Sequence, residues 1–75
     1  MKLENIKNYL ASKIAGWYYN AKLDYGIDGR FIAAEEDGNN LKIVWEEMGE
    51  RLETVIIWFA EYTPEQLYNI WMEEA

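Results

Sequence analysis

The chain contains no histidine, no cysteine, one serine (Ser12) and one proline (Pro64) in 75 residues. These absences remove most protein chemistry at once. Without histidine or cysteine, Ser-His and Cys-His nucleophiles and thiolate or imidazole metal sites cannot be assembled. Without cysteine there is also no disulfide framework of the kind that staples small secreted domains. Basic residues are scarce, at seven Lys and Arg against fourteen Asp and Glu, for a formal charge of −7. That balance argues against direct binding to nucleic acid, where contacts with phosphate supply most of the affinity, and against anionic membrane surfaces. Long apolar runs are missing too: Glu4, Lys7 and Lys13 interrupt the N-terminal stretch, so neither a signal peptide nor a membrane span is expected. The expectation is a cytoplasmic chain forming one domain over residues 1–75, with no cofactor and no enzymatic activity. Two acids can run a glycosidase, but they need a cleft that a domain of this size has little room for.

What the chain has in abundance is aromatic and acidic residues. Hydrophobic residues make up 51% of the sequence and aromatics 16%, including four tryptophans. A domain this small buries only about 60% of the surface its unfolded chain exposes. The surplus of aromatics therefore points to an interface with another protein, or to a homodimer.

Periodicity suggests the elements. Leu3, Ile6, Leu10, Ile14, Trp17 and Ala21 recur at steps of three or four, which predicts a first helix over about 3–23, with Gly16 as a point where it could bend. Asp24, Gly26, Asp28 and Gly29 follow as a loop. From Leu41, the series Trp45, Met48, Leu52, Val55, Phe59 and Tyr62 keeps helical spacing throughout, and Glu47 and Arg51 stand four apart. The expected fold is therefore mainly α: a small helical bundle with helices at about 3–23, 40–62 and 64–74. The alternative is α+β, a helix, a three-stranded antiparallel meander (about 30–36, 41–47 and 53–60) and a helix, supported by β-branched and aromatic enrichment. That order would resemble the double-stranded-RNA-binding domain in topology alone, and the absence of a basic cluster removes the corresponding function. Thr63-Pro64-Glu65-Gln66 reads as a capping box with proline at the first helical position.

Three surfaces could carry function. Asp24, Asp28, Gly29, Arg30 (through its carbonyl) and Glu35 fall at calcium-loop positions, but position three is Gly26, and the Glu-Asp-Gly-Asn-Asn that follows reads as a turn. A calcium-binding module is thus an alternative function. Glu35, Glu36, Asp37, Glu46, Glu47, Glu50 and Glu53 form the acidic surface, and on a long helix Glu46, Glu50 and Glu53 would line one ridge. Ile57, Trp58, Tyr18 and Tyr19 are the apolar residues left over for a partner. Together these features predict a module that binds a protein with a basic surface, as an inhibitor or regulatory subunit. The acids could mimic nucleic acid, as in small inhibitors made by phages and mobile elements against host nucleases or defence complexes. A structural homo-oligomer without inhibitory role is the remaining alternative.

Overall fold

The computed structural model describes residues 2–74 and shows α1 (Leu3–Tyr25), β1 (Gly29–Asp37), β2 (Asn40–Glu47), β3 (Glu50–Ile56), a single 3₁₀ turn (Phe59–Glu61) and α2 (Pro64–Glu74). The strands form one antiparallel sheet in the order β1-β2-β3. The α+β alternative is thus the fold, and the helical bundle is not: the stretch expected as a helix over 40–62 is two strands and a turn.

The reason lies in the turns. Leu41, Ile43 and Trp45 are buried on β2, and Leu52, Thr54 and Ile56 face the same way on β3, as their register pairs require. Met48 and Gly49 adopt positive φ (52° and 82°), the left-handed pair that a two-residue hairpin turn demands. The turn shifts the inward set from odd to even numbers, and a strand-turn-strand with that shift imitates a step of three or four. Met48 and Val55, both on the supposed helical stripe, are exposed. β3 also begins and ends earlier than the sequence suggests, running 50–56 and not 53–60, so Ile57 and Trp58 leave the sheet.

α1 forms as predicted and runs without a break through Gly16 to Tyr25. Gly26 closes it at φ 73°, its N–H donating to the carbonyl of Lys22. α1 contributes Ile6, Leu10, Ile14, Tyr18 and Ala21 to the core, and Trp17 is only half-buried. The capping box at α2 is made in full. The Thr63 N–H donates to Gln66 Oε1 at 2.9 Å, and the Gln66 N–H donates to Thr63 Oγ1 at 3.2 Å.

Leu67 and Trp71 of α2 are fully buried. The Trp71 ring meets Trp45 edge-on at 5.5 Å and Trp17 at 5.8 Å, so one tryptophan ties both helices to the middle strand. α1 packs chiefly over β1 and α2 touches β3, with the two helices in contact. With Leu41, Ile43 and Trp45 turned toward that core, Val44 points to the opposite face, where it lies fully buried between its register partners Ala33 and Glu53. A bulge between Phe31 and Ala33 interrupts β1.

Candidate protein-binding surface

The fold redistributes every residue singled out from the sequence. Asp24 lies in the last turn of α1, while Arg30 and Glu35 lie on the extended strand β1. Five strand steps separate the latter two by about 16 Å. The calcium loop therefore does not wrap, and among the described residues no group of three acids stands together as cation ligands. Asp28 pairs loosely with Lys22 instead, at 3.9 Å.

The acidic ridge does not form either. Glu35, Glu46 and Glu53 share the sheet face that turns away from the helices, and each has a cation beside it. Lys42 lies 3.5 Å from Glu35, Arg30 lies 3.5 Å from Glu46, and Arg51 lies 3.8 Å from Glu53. Cross-strand register creates two of these pairs, since Arg30 faces Glu46 and Glu35 faces Lys42. That face is electrically mixed and carries no run of like charge. The bases left outside ion pairs among the described residues, Lys2, Lys7 and Lys13, all lie at the start of α1 or along it.

Tyr18 and Tyr19 part company as neighbours on a helix must: Tyr18 is buried, which withdraws it as a contact residue, and Tyr19 is exposed. The Tyr18 ring lies across Gly29, where no larger residue fits beneath it. Its hydroxyl lies near the Glu47 carboxylate without a well-formed hydrogen bond, and burial first, then the charge and the hydrogen-bonding pull of Glu47, push its pKa far above the ordinary tyrosine value. Between α1 and the start of β1 runs an open groove of about 410 Å³, lined by Ala11, Ala15, Tyr19 and Phe31 among others, with Asp28 its only carboxylate. Composition gave no sign of this groove; it exists because two alanines sit one turn apart on α1 above the edge of β1.

Four of the remaining candidates, Glu36, Asp37, Ile57 and Trp58, converge at one end of the sheet. Leu41 on β2 is flanked by Glu36 on β1 and by Ile56 on β3, so those two positions lie about 10 Å apart. Asp37 follows Glu36 into the β1-β2 hairpin, and Ile57 and Trp58 follow Ile56 out of the sheet. Glu36 and Asp37 take part in no ion pair among the described residues. Ile57 is 60% exposed and Trp58 55% exposed. Trp58 has φ 60° and ψ 39°, a left-handed conformation in which a bulky residue is out of place. It is held there from both sides: its carbonyl accepts the Glu61 N–H at 3.0 Å, and the next residue, Phe59, is buried in the core. Glu47 and Glu50 meet at the opposite end, around the exposed Met48. Comparison of the chain with known protein families, curated proteins and solved structures finds no match to any of them.

Proposed function

We propose that this chain is a non-catalytic protein-binding module, an inhibitor or regulatory subunit, that seats Trp58 and Ile57 in an apolar pocket of its partner while Glu36 and Asp37 meet a basic rim. The observation that carries the proposal is the backbone of Trp58. A left-handed conformation costs a non-glycine residue about 1–2 kcal/mol, and strain of this kind concentrates at sites that contact something else. Here it displays a tryptophan, the side chain most enriched among residues that dominate binding energy. The acids beside it pair with no cation among the described residues, so they are available to a cation on a partner and would speed its approach. Nucleic-acid mimicry has less in its favour, because Glu35, Glu46 and Glu53 already have cations of their own.

The test is affinity capture with the purified chain, run in parallel with Trp58→Ser and with Glu36→Lys/Asp37→Lys. A protein captured by the wild type, lost with either variant, and released by raised salt supports the proposal. A protein retained equally by all three baits rejects this end of the sheet as the contact surface.

A further inference from the structure

We infer that β3 pairs with β3 of a second copy, joining two three-stranded sheets into one of six strands. The order β1-β2-β3 leaves β3 with an open edge. A regular edge strand is a template for another chain unless something spoils it, such as a bulge, a proline or a lysine. β1, the other edge, has a bulge at 31–33 and ends in Glu35-Glu36-Asp37. β3, Glu-Arg-Leu-Glu-Thr-Val-Ile over 50–56, has no bulge, proline or lysine, and its charges, Glu50, Arg51 and Glu53, are of both signs.

Its charge pattern selects the occupant and the register. Two identical antiparallel strands related by a two-fold axis must pair about a residue that faces itself. Centring on Arg51 or on Glu53 sets like charges opposite one another, which is unfavourable. Centring on Thr54 sets Glu53 against Val55 and leaves Glu50 and Arg51 beyond the end of the other strand, and centring on Val55 leaves all three charged residues there. Centring on Leu52 puts Arg51 opposite the other copy's Glu53, and symmetry makes that pair twice. It also places Leu52 against its own copy on the face where the helices pack, and Glu50 against Thr54. Leu52 is only half-buried in the single chain, so its own copy would cover what the fold leaves open. Arg51 and Glu53, now 3.8 Å apart along one strand and both largely exposed, can exchange partners across the interface at little cost. The two Trp58 ends then lie at opposite margins of the joined sheet, so the dimer would offer the partner surface twice. This pairing does not depend on what Trp58 contacts.

Sedimentation equilibrium of the purified chain, up to about millimolar concentration, is the experiment. The wild type is expected to dimerise, and Arg51→Glu and Glu53→Arg, each alone, to weaken self-association by about tenfold or more. An equimolar mixture of the two variants restores opposite charges at both pairs and is expected to form a heterodimer. A wild type that stays monomeric at the highest concentration overturns the inference, as does a mixture that associates no better than its components. If Arg51→Glu unfolds against its register neighbour Glu46, Glu53→Arg carries the test: self-association unchanged in that variant overturns the pairing as well. Trp58→Ser is expected to leave the dimer intact, which separates this outcome from that of the partner surface.

Discussion

Gly29 is the position where a single methyl group should do most damage. A Cβ there would overlap Cε1 and Cδ1 of Tyr18 and stand 2.9 Å from the carbonyl oxygen of Glu46. Swinging the ring away would break its packing, because Tyr18 is buried and sits edge-on against Trp17 with centroids 4.6 Å apart. The carbonyl belongs to the paired strand β2 and cannot retreat without breaking the ladder. Alanine gains about 0.5–1 kcal/mol over glycine from its lower backbone entropy, against about 1–3 kcal/mol for overpacking, with a rigid neighbour placing the cost at the upper end. Gly29→Ala should therefore lose about 2 kcal/mol net. For a domain of this size, whose whole stability is about 4–11 kcal/mol, that corresponds to a fall in Tm of about 8–16 °C. Thermal and urea unfolding followed by circular dichroism measure it. In a Tyr18→Leu background the ring is gone, and the cost of Gly29→Ala should shrink by about 1 kcal/mol or more. A Gly29→Ala variant more stable than the wild type, or one whose cost is the same in both backgrounds, would refute the ring-over-glycine account. Gly16→Ala is the contrast: that Cβ meets nothing within 4 Å in the middle of α1, so the same substitution should stabilise by about 0.5–1 kcal/mol.

Thr63→Ala removes the acceptor for the Gln66 N–H and should cost about 1 kcal/mol in urea unfolding, while Gln66→Ala, which breaks the reciprocal bond, should cost less. Alkaline pH should loosen the fold through Tyr18. The folded chain keeps that proton where the unfolded chain releases it, so stability is complete below about pH 10 and falls above it by about 1.4 kcal/mol per pH unit. Tyr18→Phe should flatten that decline and, because the buried hydroxyl makes no well-formed hydrogen bond, change stability at neutral pH by less than about 1 kcal/mol; urea titrations on either side of about pH 10 report both. At Trp58, replacement by glycine should relieve the backbone, while replacement by valine, which keeps the strain and adds a branch at Cβ, should be less stable than the glycine variant by about 1 kcal/mol or more in the same assay.

The parts of the fold that could be read from the sequence are those where a local rule acts alone. α1 and α2 carry an unbroken stripe or a full capping box, and both form where their residues say. Residues 40–62 were harder because two periodicities overlap there. Val44, buried on the far face, fills the gap that alternation would otherwise show between Ile43 and Trp45. Beyond it, Val55, Ile57 and Trp58 are exposed while Ile56 and Phe59 are buried, so five apolar residues in a row belong to three different environments. Hydrophobicity has no record of which is which. The acidic ridge expected on a long helix is absent for a related reason. Residue spacing places charges on a helix, but only strand register puts Arg30 opposite Glu46 and Lys42 opposite Glu35, and register is a tertiary fact.

The partner surface shows most plainly why side chains alone are insufficient. Continued alternation past Ile56 would turn Trp58 inward and Phe59 outward; the chain does the reverse, and it does so by putting Trp58 in the left-handed region. Three constraints meet there. Ile56 ends the strand facing the core, Phe59 must enter that core three residues later, and the intervening backbone has room only for a sharp reversal closed by the Glu61 N–H. Glycine at 58 would satisfy all three without strain. The tryptophan contributes less to that turn than it costs, since more than half of its surface is in solvent. What would offset about 1–2 kcal/mol of backbone strain is burial of an indole against another molecule, worth about 1.5–3 kcal/mol or more for a large apolar side chain. On that arithmetic the unfavourable conformation of Trp58 within the chain and its proposed role outside it are the same observation, and a glycine variant that folds better while losing the captured partner is its expected signature.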